Sequence, residues 1–362
     1  MEGKDTIIDT IEVRADERFD TAKVADYLRG KLPGSELPLT VRQFGGGAAN
    51  LTYKLEYSAQ SGDDQRYEYV LRRPPLGPVA KSAHDMGREY RVLAVLNDAF
   101  PEAPRAYHYC EDPEVIGADF FVMERRYGVV VRTQVPALYA QMKDAPQRMS
   151  TALVDTLAAF HAVDYEAIGL AKLGRPNGFV ERQIEGWAKR WQGAKHEELP
   201  LMDELYQWLI KHQPPVGSGS LVHNDYKLDN VMLASEDPGK LVAVFDWDMC
   251  TLGDPLCDLG ALLCYWSEPS DPDFYKRASM MPVDDPRFMT RSQLIERYAQ
   301  KSGRDVSHIH FYHALGLYRL VVIIAQIYIR YVRGQTKDER FASFGERIPL
   351  LAQAAHEITR QT

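Results

Sequence analysis

Positive charge is in short supply. The 362 residues carry 43 Lys and Arg against 51 Asp and Glu, a net charge of 43 − 51 = −8. That balance argues against nucleic acid or an anionic membrane surface as the main partner. Cysteine is scarce as well. Cys110, Cys250, Cys257 and Cys264 show no CxxC spacing and no histidine-rich surroundings. A structural zinc site is therefore not expected, and a reducing, cytoplasmic setting is. The stretch Met1–Val13 is polar and acidic, with neither a basic nor an apolar region, so no export signal is expected. Long apolar runs are missing too. The most apolar stretch, Leu320–Ile329, is broken by Gln326 and bracketed by Arg319 and Arg330. About 18 apolar residues would be needed to cross a bilayer, so it reads as a buried helix. There is no GxxxxGK[ST] loop and no GxSxG elbow, and His196-Glu197-Glu198 lacks the second histidine of a zincin helix.

What is present is an average globular composition, 45% apolar and 26% charged, which excludes a disordered or fibrous chain. The length suits two domains or one large one. The first third reads as strands at Leu39–Phe44, Leu51–Tyr57 and Tyr67–Arg73, with a turn at Gly62-Asp63-Asp64 and a stop at Pro74-Pro75. Gly87–Phe100 has helical spacing, and Ala106–Cys110 and Asp119–Arg125 read as two more strands joined by a loop containing Asp112-Pro113. Helices follow at Gln147–Val163, Phe179–Gln192 and Leu201–His212. An island of strands comes next (Leu221–His223, Val231–Leu233, Leu241–Phe245), with a turn at Glu236–Gly239, and helices return from about Leu259. The change from strand-rich to helix-rich near Glu124 marks a boundary without a Gly/Ser linker. Two lobes are expected, 1–124 and 125–362.

The most specific pattern is Leu221-Val222-His223-Asn224-Asp225-Tyr226-Lys227-Leu228-Asp229-Asn230, followed by Val244-Phe245-Asp246-Trp247-Asp248. Asp225 sits just past one strand, Asn230 five residues on, and Asp246 at the end of the next hairpin's second strand. An amide and a carboxylate from adjacent strand ends can share one Mg²⁺, because hard cations take oxygen ligands. Asp225 is then free to take a proton from an attacking hydroxyl. A base, a pair of metal ligands and a cationic clamp are the parts of phosphoryl transfer. Taken alone, the same loop also reads as a polar surface turn.

His223-x-Asp225-x-x-x-x-Asn230 resembles the catalytic loop of the protein-kinase-like superfamily. Asp246-Trp247-Asp248 and Gly253-Asp254-Pro255-x-x-Asp258-Leu259 are similar to the aminoglycoside phosphotransferase and choline kinase branch. Val70–Pro75, Ala83-His84-Asp85 and Arg88-Glu89-Tyr90 look most like the kinase-like domain fused to acyl-CoA dehydrogenases in animals, and its free-standing bacterial relatives. The resemblance spans most of the chain. It implies an α+β, two-lobed protein-kinase-like fold, with a strand-rich N-lobe that binds nucleotide and a mainly helical C-lobe that carries catalysis and the substrate.

The resemblance also assigns roles. Gly45-Gly46-Gly47, by itself an ordinary glycine hairpin, becomes the loop over the nucleotide; the third glycine position of the kinase pattern is Asn50. Arg72 stands where protein kinases have a lysine, two residues after Val70 at the adenine, and Glu89 becomes its ion partner; without the family the pair reads as a surface contact. Alternation puts Arg72 with Glu68 and Val70 on one strand face and Arg73 on the other. Met123 would lie behind the adenine, with the backbone from Glu124 to Arg126 bonding it. Lys227 matches the catalytic-loop lysine that neutralises the phosphoryl group, and otherwise reads as a solvated lysine. His223 reads as structural, Asp248 as a possible addition to the metal site, and Asp254 and Asp258 as caps of the helix near Leu259.

The expected activity is Mg²⁺-dependent transfer of the γ-phosphate of ATP or GTP to a hydroxyl of a small molecule. Asp225 is the base, and Asn230 and Asp246 are the metal ligands. Without a DFG glycine or an Ala-Pro-Glu segment, a protein acceptor is disfavoured. The dehydrogenase-fused relatives suggest a hydroxyacyl-CoA acceptor, and the wider branch an aminoglycoside-like amino alcohol. Phe179–Lys195 is rich in cations and Ser267–Asp285 is acidic, so both acceptors stay open, as does the oligomeric state. The contrasting reading is a non-catalytic nucleotide-binding module.

Overall fold

The computed structural model describes residues 9–45, 50–59, 65–76, 85–132, 134–278, 285–336 and 338–360. The chain divides into two compact units, Met1–Arg126 and Tyr127–Thr362. The expected turn at 62–64, the residues Ala83 and His84, and the glycines Gly46 and Gly47 lie outside the described residues.

The N-terminal unit contains β1 (Thr10–Ile11), α1 (Thr21–Leu28), β2 (Leu39–Phe44), β3 (Leu51–Ser58), β4 (Arg66–Arg73), α2 (Met86–Leu96), β5 (Ala106–Cys110), α3 (Pro113–Ile116) and β6 (Phe120–Glu124). Its strands form one antiparallel sheet in the order β1-β2-β3-β4-β6-β5. Alternation makes the two faces unlike. Tyr53, Leu55, Tyr57, Tyr69 and Leu71 pack with Val24 and Leu28 of α1 into a buried core. Thr52, Lys54, Glu68, Val70 and Arg72 occupy the opposite face.

Two helices here were not expected. The Asp20 carboxylate caps α1 by accepting the amides of Ala22 and Lys23. The loop expected at Asp112-Pro113 is a helical turn. Asp112 accepts the Glu114 amide, Pro113 stands at the first helical position, and Gly117 closes the turn at φ 81°.

The C-terminal unit holds α4 (Ala145–His161), α5 (Phe179–Ala194), α6 (Pro200–Lys211), β7 (Ser220–Val222), β8 (Val231–Ala234), β9 (Asp237–Val244), β10 (Thr251–Gly253), α7 (Leu256–Tyr265), α8 (Asp273–Ala278), α9 (Arg291–Ser302), α10 (Ile309–Val332) and α11 (Phe344–Thr359). β7 pairs with β10, and β8 with β9, both antiparallel. The β8–β9 turn is Ser235–Glu236, earlier than the expected Glu236–Gly239. Pro238 instead enters β9, where shifts of register tolerate a residue without an amide hydrogen. α10 has the length and composition to cross a membrane. In the structure Leu317, Val321, Val322 and Ile324 on it are buried in the unit's interior, as in the core helix expected from sequence. α7 and α10 meet closely at Gly260, where an added Cβ would collide with the Tyr312 carbonyl.

Candidate active site

The loop after β7 is held from below by one carboxylate. Asp258, fully buried in the first turn of α7, accepts the amides of His223 at 2.6 Å and Asn224 at 2.7 Å. The Nε2 atom of His161 on α4 lies 3.2 Å from the same carboxylate, and its Nδ1 lies 2.7 Å from the Tyr298 hydroxyl. Burial alone would raise the pKa of Asp258. Its hydrogen bond from His161, with help from His223, outweighs this, and the pKa lies below the ordinary aspartate value. Burial pushes His161 the opposite way to protonation, below the ordinary histidine value. The neutral ring therefore donates from Nε2 to Asp258 and accepts at Nδ1 from Tyr298. This corrects the expectation of a cap: Asp254, not Asp258, accepts an end amide of α7, that of Leu256 at 3.0 Å.

The ring of His223 has both nitrogens committed. Nε2 lies 2.9 Å from the Phe245 carbonyl, which can only accept, so Nε2 carries the hydrogen. Nδ1 accepts the Asp225 amide at 3.2 Å. No proton-transfer site is left on it, in keeping with a structural histidine. Asn224 turns the chain at φ 66°, with its side chain on the Met249 carbonyl at 2.9 Å, and Arg319 of α10 donates to its carbonyl.

That turn presents Asp225. Lys227 Nζ donates to both of its carboxylate oxygens, at 2.9 and 2.8 Å. Asn230 Nδ2 donates to Asp225 Oδ2 at 2.8 Å and to the Asp225 carbonyl at 2.9 Å. Both amide hydrogens of Asn230 are thus used, and its side-chain oxygen is the atom left for another partner. Asn230 is also tied to the next strand end, because its carbonyl accepts the Phe245 amide at 2.8 Å. Asp246 follows at φ 67°, the second left-handed non-glycine residue among those described. The structure therefore joins Asp225, Lys227, Asn230 and the strand end leading to Asp246 through direct bonds. Asp248 lies in the short helical turn after Asp246.

Lys227 is also within cation–π reach of Tyr265, at 5.1 Å from the ring. Burial opposes its charge, but Tyr265, Asp225 and Asp229 outweigh it and hold its pKa above the ordinary lysine value. Asp229, which the sequence did not single out, lies 4.0 Å from Lys227, and burial raises its pKa. Beside Asp225 is a small cavity whose wall includes Ala261, Tyr265, Gly316, Arg319, Leu320 and Ile323.

In the N-terminal unit, Arg72 Nε lies 3.0 Å from Glu89 Oε2, and Glu89 is only 1% exposed. Val70 and Met123 are cross-strand partners, so they share a sheet face with Arg72. Glu124 accepts the Arg105 amide at 3.1 Å, and Arg126 pairs with Glu124 at 2.8 Å and reaches the Pro101 carbonyl at 2.9 Å. Gly45 follows β2 directly. Arg73 lies on the core face beside Tyr53, 5% exposed, with its pKa lowered by burial.

Residues 40–288 match the phosphotransferase enzyme family, and the chain belongs to that family. Its fold is the two-lobed, kinase-like α+β fold of the family's solved members. The chain is 31% identical to mouse acyl-CoA dehydrogenase family member 11 and 29% identical to the human protein, over 99% and 98% of its length. It spans 45% of each of those relatives. A putative aminoglycoside phosphotransferase from Ralstonia eutropha superposes with a TM-score of 0.80 at 30% identity, covering 95% of this chain and 99% of that one. A thermostable mutant of aminoglycoside phosphotransferase APH(4)-Ia, in ternary complex with ADP and hygromycin B, shares the fold. Its TM-score is 0.57 at 15% identity, over 93% of this chain and 98% of that one.

Proposed function

We propose that this phosphotransferase is a small-molecule kinase, which moves the γ-phosphate of ATP or GTP to a hydroxyl with the help of Mg²⁺. The observation that carries the reading is the bonded set of Asp225, Asn230 and the strand end before Asp246. The donor set suits a hard cation, with the Asn230 side-chain oxygen left over by its own amide and the carboxylate of Asp246 on the adjoining strand end. Among the described residues no group of three His, Cys, Asp or Glu could hold a metal alone. A Mg²⁺ ion held there would share its coordination with substrate phosphates. When bound, Mg²⁺ would neutralise charge on those phosphates. Asp225 orients the acceptor hydroxyl and takes its proton, and Lys227 offers a cation to the transferred group. Arg72, set by Glu89, clamps donor phosphates.

The surface beside Asp225, where the cavity itself has room for about one water, suits a hydroxyacyl group better than an aminoglycoside. Arg319 brings a cation, and Leu320 and Ile323 bring apolar surface. Three of the described acids of that stretch are engaged: Asp271 and Glu268 hold Arg291, and Asp285 holds Arg287. The relatives named acyl-CoA dehydrogenases point the same way. A library of hydroxy compounds, hydroxyacyl-CoAs and aminoglycosides included, screened for ADP or GDP release with Mg²⁺ tests the function. Nucleotide binding with no acceptor-dependent release would leave a binding module instead.

Asp246→Ala is expected to abolish the Mg²⁺-dependent part of nucleotide affinity, read by calorimetric titration with and without Mg²⁺. Unchanged Mg²⁺-dependent affinity would defeat the ligand assignment. Arg72→Ala is expected to weaken ATP about tenfold or more, and ADP less, because a clamp acts on charge that the diphosphate partly lacks. Arg73 is no neutral control. Being buried on the core face, its replacement should show as lower stability in urea, and equal loss of ATP affinity from both variants would sink the facing argument.

A further inference from the structure

Lys227 Nζ donates to both carboxylate oxygens of Asp225, at 2.9 and 2.8 Å, and Asn230 Nδ2 donates to Oδ2 at 2.8 Å. Each carboxylate oxygen has two lone-pair sites. Those of Oδ2 are both taken, and the site left is on Oδ1, beside the ammonium. Two of the three ammonium hydrogens are committed to the same carboxylate. An acceptor hydroxyl and a transferred phosphoryl group would therefore meet a base and a cation that are bonded to each other. The lysine has to shift before each can serve its own partner.

Among the described residues, the carboxylates within 4.0 Å of Nζ are those of Asp225 and Asp229. Asp229 stands in the short helical turn Leu228–Asn230, between the two residues that bond Asp225. Its Oδ1 atom, the one 4.0 Å from Nζ, is shut off from solvent and has no hydrogen-bond partner. A buried carboxylate oxygen without a donor opposes folding. The gap is too long for a hydrogen bond, and it closes with a movement of about 1 Å at the end of a flexible stem. Asp229 thus offers the lysine a second acceptor within reach of the first.

We propose that Asp229 is a positioning residue for Lys227. It draws the ammonium off Asp225 as the acceptor arrives, which opens Asp225 to the hydroxyl and turns the freed ammonium hydrogens to the transferred group. The hydroxyl proton then passes to Asp225 as the new O–P bond forms and the bond to the departing nucleoside diphosphate breaks. This rests on the phosphotransferase reading given above.

The test is a double-mutant cycle on turnover, read as ADP release from Mg·ATP, with water as acceptor and with any acceptor from the screen. Asp229→Asn and Asp229→Ser are expected to lower kcat about tenfold or more, with Mg·ATP affinity by calorimetry changed less than about twofold. Asp229→Glu, which keeps the charge, should recover part of the loss. In a Lys227→Met background Asp229→Asn should cost nothing further, because the residue it acts through is gone. Unfolding in urea without ligand should show Asp229→Asn as stable as the wild type or more so. Wild-type kcat in both Asp229 variants overturns the proposal. So does an equal fold-loss in the two backgrounds, which would make Asp229 act without the lysine. A loss of Mg·ATP affinity that matches the loss of kcat overturns it in favour of a donor-site role. A wild type that releases no ADP with any acceptor overturns the phosphotransferase reading and this inference together.

Discussion

Asp225→Asn is expected to lower turnover by about 10²–10⁴-fold while Mg·ATP affinity stays nearly intact. The carboxylate is bonded to Lys227 and Asn230, so it is fixed in place before any acceptor arrives. Asparagine keeps the shape and can still accept at one oxygen from both donors, but it has no basicity. kcat and kcat/KM for the acceptor should fall together, the mark of an interaction made in the transition state. Steady-state kinetics with an acceptor from the screen, under conditions where chemistry limits the rate, checks this. Wild-type turnover in the variant would remove Asp225 from the chemistry.

The second large effect concerns stability. Asp258→Ala is expected to cost about 3 kcal/mol or more, since each buried donor left without its acceptor costs about 1–3 kcal/mol. Three donors, the amides of His223 and Asn224 and the His161 ring, would lose their acceptor inside the unit. Denaturant unfolding reads the loss, and a loss under 1 kcal/mol would show that the loop stands without this anchor. A pH dependence follows with a definite sign. His161 and Asp258 both bind protons more weakly folded than unfolded. The unfolded chain gains the His161 proton first as pH falls through 6.5, and that of Asp258 near 3.8. Their contribution is complete above the first value, declines below it, and declines again below the second. His161→Gln should flatten the upper part of that decline.

Parts of this architecture are legible locally. Alternation and turn residues locate β2, β3, β4 and β6, and the sequence from Leu221 to Phe245 shows two adjacent strand ends, which the structure ties together through the bonds of Asn230 to Asp225 and Phe245. Local signals also existed for two missed helices. Asp20 precedes the i, i+4 pair Val24 and Leu28, and Asp112-Pro113 with Gly117 carries both end markers of a short helix. The role of Asp258 had no such signal. Its partners lie 34, 35 and 97 residues away, and helical spacing alone placed it as a cap. The burial of Arg73 shows the same limit: alternation gives its face, whereas the packing of α1 decides that this face is the core.

The two left-handed residues, Asn224 and Asp246, bear on how such a protein can decay over evolutionary time. Positive φ favours glycine, with asparagine and aspartate the next most tolerant. Every aspartate codon becomes a glycine codon by one base change. At position 246 that change relaxes the backbone while deleting the carboxylate. The shortest mutational path away from the proposed chemistry is thus also one the backbone dihedral favours. A glycine at this position in a homologous chain would therefore mark the loss of the proposed metal ligand.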